Sequence, residues 1–166
     1  KNSKIVIKAQ SEDSEIAHKK IIDKFKSNNI DEKRIIFKKH QKERIDHLKM
    51  YELIDISLDT FPYPGVTTSF ESIWMGVPVL TMKGFNFVSR CGESININLD
   101  MKEFLAENEE DYILKAVEFS KNPKKIIEIR KTLRDKALIS PLFDKKMFGK
   151  DFCDLIENTW QNYNKK

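Results

Sequence analysis

At 166 residues, with 40% hydrophobic and 10% aromatic side chains, the chain can bury the core of one domain, and it reads as a single unit over residues 1–166. Lys and Arg number 30 against 26 Asp and Glu, and the +4 balance is spread in short pairs such as Lys38-Lys39, Lys124-Lys125 and Lys145-Lys146. A solvated surface accounts for such pairs, so nucleic acid is not an expected partner. No run approaches the roughly 18 to 20 continuous apolar residues of a bilayer span, and no signal-like segment opens the sequence, so no membrane partner and a cytoplasmic location are expected.

The periods alternate along the chain. Lys4 to Gln10, KIVIKAQ, is a short β-branched run predicting a strand near 4–10. From an N-cap at Asp13 or Ser14, Ala17, Ile21 and Phe25 recur at four-residue spacing, an amphipathic helix ending near Asn28-Asn29. Arg34 to Phe37 is a second strand; Ile45, Leu48 and Leu53 mark a second helix, and Asp55 to Asp59, DISLD, a third strand. After FPYPG, Phe70, Ile73 and Trp74 line a third helix, which Gly76 stops, and VPVLTM is a fourth strand near 78–82. Strand and helix taking turns argue for an α/β fold, a doubly wound sheet of at least four parallel strands with helical crossovers.

The remainder is helical. Tyr112, Ile113, Ala116 and Val117 form one stripe; Ile126, Arg130, Leu133 and Ala137 form another. Phe148, Phe152, Leu155, Ile156, Trp160 and Tyr163 make a third, read as a terminal helix packed on its own domain by Phe152, Leu155 and Trp160. The two cysteines, Cys91 and Cys153, lack CxxC spacing and are expected as reduced, buried thiols. His18, His40 and His47 show no metal-ligand spacing, so neither a metal nor another cofactor is expected.

In an open parallel sheet, ligands bind at the carboxyl ends of the strands. Gly65, Val66, Thr67 and Thr68 lie there, at the start of a helix whose first amides have no intrahelical partner. Those amides, the positive end of the dipole and two hydroxyls make an anion site, and the glycine admits close approach of a phosphate. On the pattern alone, Thr67 or Thr68 serving only as the N-cap explains the same residues. Glu71, one turn later, can accept from a ribose diol or simply gain from the helix dipole.

DISLDTFPYPGVTTSFESIWMGVPVLTMKG, then SRCGES and SPLFDKKMFGKDFCDLIENTWQNY, resembles the C-terminal half of the O-linked N-acetylglucosamine transferases, a GT-B family that includes the SPINDLY type and bacterial tetratricopeptide-containing relatives. The resemblance runs from about Asn2 to Tyr163, with LDxFPYxGxTT, W-x-G-x-P-V-x-T and SPLF in the family's order. It implies a Rossmann-like sheet with a helical C-terminal extension. It also implies a nucleotide-sugar donor, UDP-N-acetylglucosamine or UDP-glucose, whose diphosphate meets Gly65, Thr67 and Thr68. Ribose would fall to Glu71, where the family usually has aspartate, and the uracil and ribose to Arg44 and His47. The parent reaction would be an inverting transfer to a protein hydroxyl.

Two departures from the family pattern matter. Val66 stands where the family has a histidine between the glycine and the first threonine. Losing one charge-assisted hydrogen bond, about 1.5 to 3 kcal/mol, weakens donor binding unless a neighbour such as Arg90 compensates. It also opens the alternatives of a glucosyl or N-linked glycosyltransferase, or of a nucleotide-sugar-binding module that does not catalyse. Secondly, the chain reads as the donor half alone, lacking the half that supplies the base and receives the protein acceptor. It is therefore expected to be inactive by itself.

Overall fold

The computed structural model of the chain describes residues 3–9 and 14–164. Contacts divide the chain into two units, the first ending at Asp55 and the second starting at Ile56.

In the first unit the β-branched run becomes β1 (Ile5–Ala9), paired in parallel with β2 (Ile35–Lys39) in the register Ile5↔Ile35 to Ala9↔Lys39. The crossover between them is α1 (Ser14–Lys26). Of its two expected caps, Asp13 lies outside the described residues, as does Gln10 at the end of the first predicted strand. Ile21 and Phe25 are half-buried while Ala17 is exposed, so the inward stripe begins a turn later than the spacing implies. The helix stops where Asn28-Asn29 predicts. Asn29 takes a left-handed conformation (φ 59°), the Ile30 N–H reaches back to the Phe25 carbonyl at 3.0 Å, and the Asn29 N–H to that of Lys26 at 2.9 Å. This Schellman closure satisfies last-turn carbonyls that would otherwise be orphaned. His18 stacks on Phe37 with ring centroids 3.8 Å apart, seating α1 on β2. α2 (Arg44–Lys49) follows and tightens into a 3-10 turn over Met50–Leu53, so the second helix is α-helical for only part of its expected length.

The second unit is built on a three-stranded parallel sheet of β3 (Ser57–Leu58), β4 (Val79–Met82) and β5 (Leu105–Ala106), in that order. α3 (Thr67–Trp74) and α4 (Cys91–Asn98) are its crossovers, followed by α5 (Glu109–Lys121), α6 (Pro123–Leu138) and α7 (Lys145–Tyr163). Each predicted strand has its counterpart, in an α/β Rossmann-like arrangement. Pairing among the described residues runs within two sheets, of two and three strands, where one sheet of at least four was expected. β5 carries no sequence signal because a two-residue strand is too short to show a period.

Ile73, Leu80, Leu99, Phe104 and Leu133 are buried together around β4, and Phe104 lies flat on Phe119 with centroids 4.3 Å apart. A buried amide ties the strands to this core: Asn96 donates to the Val79 carbonyl at 2.9 Å and to that of Phe104 at 3.0 Å. Both donors of its side chain are thereby used, which removes the penalty of burying a polar group.

Three sequence expectations fail on the helices. The buried face of α5 runs through Tyr112, Ala116 and Phe119, and Ile113 and Val117 are exposed. A 3.6-residue period over a short window fits two neighbouring faces, and the buried one is the face shifted toward Phe119. α7 forms as predicted, yet it is not packed on its own domain: Phe148 is 68% exposed, Trp160 63%, and Phe152 and Leu155 are exposed with them. Periodicity records that a face is apolar and says nothing of what covers it. The cysteines are free, but Cys91 is half-buried and Cys153, on α7, is exposed, so neither is the buried thiol expected.

Candidate functional site

The carboxyl ends of β3 and β4 converge because Leu58 pairs with Leu80, which brings the next residues along, Asp59 and Thr81, side by side. The Thr81 hydroxyl donates to Asp59 Oδ2 at 2.9 Å. The chain then leaves β3 through Thr60–Pro64, with a cis bond between Phe61 and Pro62, and returns at Gly65, whose N–H donates to Asp59 Oδ1 at 2.6 Å. Tyr112 on α5 donates its hydroxyl to the Asp59 carbonyl at 2.8 Å. Burial raises the Asp59 carboxyl above its ordinary value, and the bonds from Gly65, Thr81 and Thr60 pull the other way. Burial, and then the neighbouring Asp59 charge, push the Tyr112 phenol up, so it stays protonated and remains a donor.

From Gly65 the backbone passes into α3. Its N-cap is Val66, which has no side chain able to cap, and Thr67 and Thr68 are the first two helical residues. The expectation that a threonine is the N-cap is therefore corrected: the anchor of this helix start is Asp59, one loop earlier, and the hydroxyls are displaced into the first turn. The first intrahelical bond runs from the Phe70 N–H to the Val66 carbonyl at 3.0 Å, so the amides of Thr67, Thr68 and Ser69 lie ahead of the ladder. The threonines are exposed and Ser69 is buried. A Cβ at Gly65 would stand 2.5 Å from Thr68 Oγ1 and 2.7 Å from Ser69 Oγ, so the glycine is there because two hydroxyls fold over it. Its own N–H is committed to Asp59.

Gly65, Thr67, Thr68 and Glu71 thus share one helix start, with Glu71 half-buried a turn further on. Arg44 and His47 lie in the first unit, on the exposed first residue of α2 and one turn along it. The His47 ring meets Tyr51 edge-on at 5.8 Å, and its Nδ1 is hydrogen-bonded with Lys8 Nζ on β1. Arg90 is occupied: its Nε and Nη2 reach the two carboxylate oxygens of Glu93 at 2.8 and 3.1 Å. It is not an uncommitted replacement for the histidine that Val66 displaces. The sequence missed Asp59, Thr81, Tyr112 and Gly92, where a Cβ would collide with Thr81 Oγ1 and stand 2.8 Å from Asp59 Oδ2. The signals for them are that Asp59 ends a predicted strand, and that Asp59, Thr81 and Gly92 fall within LDxFPYxGxTT, W-x-G-x-P-V-x-T and SRCGES.

Beside this helix start, Thr60, Phe61, Pro64, Lys83, Phe85 and Glu109 line a cleft of about 260 Å³. Among the described residues no helix is long and apolar enough to cross a membrane, and no group of three or more His, Cys, Asp or Glu is placed to hold a metal ion.

Residues 14–152 match the family model described as Glycosyl transferase family 41. A probable UDP-N-acetylglucosamine--peptide N-acetylglucosaminyltransferase SPINDLY from Eustoma exaltatum subsp. russellianum is 39% identical over 118 residues, 71% of this chain and 13% of the relative. The Arabidopsis thaliana protein of the same description is 36% identical over the same length. A UDP-N-acetylglucosamine--peptide N-acetylglucosaminyltransferase of Caenorhabditis elegans is 28% identical over 134 residues, 81% of this chain and 12% of that protein. A solved mutant of Thermobaculum terrenum O-GlcNAc transferase superposes with a TM-score of 0.85 at 24% identity, covering 96% of this chain and 30% of that one, a likeness of fold. The chain spans about 13% of the length of the plant relatives.

Proposed function

Because the chain belongs to glycosyl transferase family 41, we propose that it is the donor-binding part of a protein O-glycosyltransferase, holding a UDP-N-acetylglucosamine-type nucleotide sugar. The observation that carries this reading is the start of α3 at the carboxyl end of β3, where two exposed threonines stand in the first turn and three amides lie ahead of the helical ladder. A diphosphate leaving group gathers negative charge as the sugar departs, and fixed N–H and O–H donors at the positive end of a helix stabilise that charge without reorganising. The relatives' names supply the donor and the peptide acceptor; the acceptor site and the base belong to the rest of such an enzyme. We assign Thr67 and Thr68 to the diphosphate, Gly65 to the space beside them, and Glu71 to the ribose. Arg44 and His47 are assigned to the uracil and ribose on the resemblance alone. Val66 in place of the family histidine favours a second reading, a glucosyl or N-linked protein glycosyltransferase with a retuned donor site.

Calorimetric titration of UDP into the full-length protein tests the reading. Thr67→Ala and Thr68→Ala are each expected to cost about 1 to 2 kcal/mol of binding, since the hydroxyl is lost and the amide stays. Glu71→Ala should weaken UDP more than pyrophosphate. Unchanged UDP affinity in the double threonine variant, with its circular dichroism intact, would reduce these residues to the opening turn of a helix.

A further inference from the structure

We propose that Asp59 is a positioning residue that sets the Gly65–Thr68 loop for a diphosphate, with Thr81 and Gly92 as its supports; this rests on the nucleotide-sugar reading above. Each hydrogen-bonding group of Asp59 is used, and each reaches a different place. Its N–H donates to the Leu80 carbonyl on β4 at 2.9 Å, and its carbonyl accepts from Tyr112 on α5. Oδ2 accepts from Thr81 at 2.9 Å, and Oδ1 from the Gly65 N–H at 2.6 Å. The first three bonds fix the aspartate to the sheet and to α5, and the fourth, with a further bond from the Thr60 backbone to the carboxylate, hands that fixed position on to the loop.

Val66 at the N-cap has no side-chain cap hydrogen bond, so the tie from Asp59 reaches the helix start from outside it. Through Gly65 this carboxylate holds the loop that leads into the amides of Thr67 to Ser69. Both oxygens face inward, toward Gly65 and Thr81, so the negative charge is spent on the protein and not presented to an incoming anion. Gly92 completes the arrangement: the space that its missing side chain leaves is where Thr81 Oγ1 and Asp59 Oδ2 meet. A carboxyl that burial holds above its ordinary value is costly to keep, which fits a group retained for placement.

A misplaced loop harms only the ligand groups that touch it. The test is titration of UDP and, separately, of uridine into the full-length protein and its variants. Thr81→Val removes the hydroxyl at nearly constant shape, and Asp59→Asn keeps an acceptor for Gly65 while altering the Thr81 contact. Both are expected to weaken UDP by about tenfold, the size of one lost polar contact, while uridine changes less than about twofold. Thr81→Ser, which keeps the donor, is expected to restore UDP binding to within about twofold of wild type. Should Asp59→Asn and Thr81→Val leave UDP binding unchanged while Thr67→Ala and Thr68→Ala weaken it, the positioning role is overturned and the diphosphate reading survives. Equal loss of UDP and uridine would make Asp59 a general structural residue and also overturn it. If the threonine variants bind UDP normally, the diphosphate reading fails and the positioning role falls with it.

Discussion

Burial raises the Asp59 carboxyl above its ordinary value of 3.8, so the folded chain holds this proton more tightly than the unfolded chain does. The stability it contributes is therefore fully present below that value and is lost as the pH rises through the higher folded one. Glu93 runs the other way. Its hydrogen bonds from Arg90 lower it below 4.5, so its contribution is present above the unfolded value and is lost as the pH falls through the folded one. Urea unfolding of wild type and Asp59→Asn from about pH 3 to about pH 8 separates the two, because only the aspartate differs between the proteins. The asparagine variant should gain on wild type as the pH rises above 3.8 and then run parallel to it; curves parallel throughout would show that the buried charge costs nothing. At this scale the site was half legible. Gly65, Thr67 and Thr68 could be placed because a glycine and two hydroxyls between a strand and a helix have a local meaning. Asp59 could not, since its partners, Gly65, Thr81 and Tyr112, are brought together only by strand pairing and by the docking of α5.

Single helices were legible wherever stop signals were local: Asn29 closes α1 and Gly76 closes α3 with the same pair of backward-reaching N–H groups, and Asn28-Asn29 and Gly76 announce both ends. What joins one helix to another was not. Trp74 of α3 stacks on Phe143, in the short turn before α7, at 5.8 Å, and the Arg134 guanidinium of α6 covers the indole at 4.1 Å. Phe70 meets the same Phe143 edge-on at 6.0 Å. The W-x-G and SPLF motifs, far apart in the chain, are thus two sides of one contact, for which hydrophobic period gives no hint. Phe143→Ala should lower the unfolding free energy by about 1 to 3 kcal/mol, less than for a fully buried phenylalanine because Phe143 is half-buried. Arg134→Ala should cost about 0.5 to 1 kcal/mol, and nothing further in a Trp74→Leu background. Equal cost of Arg134→Ala in both backgrounds would show that the stacking carries no energy.

For the molecule as a whole, the alternation of strand and helix was enough to give the α/β class of parallel strands, because parallel neighbours need a crossover whatever its residues, while the Rossmann-like form came with the family resemblance. The outer limit of the packed body could not be read. α7 has the apolar stripe of a packed helix, yet it buries none of its residues. Truncation after Asp144 is therefore expected to change the urea unfolding free energy of the second unit by less than about 1 kcal/mol, where loss of a packed helix would cost several. Phe148, Phe152, Leu155, Ile156 and Trp160 form an exposed stripe of a kind that proteins seldom leave uncovered. That same exposure gives the chain two independent optical reporters. It has 2 tryptophans: Trp74 lies between an aromatic ring and a guanidinium in the second unit, and Trp160 stands in water on α7. In a Trp74→Phe background, anything that covers the terminal helix would shift the remaining emission to the blue. In a Trp160→Phe background, the signal would follow the melting of the core and ignore that event.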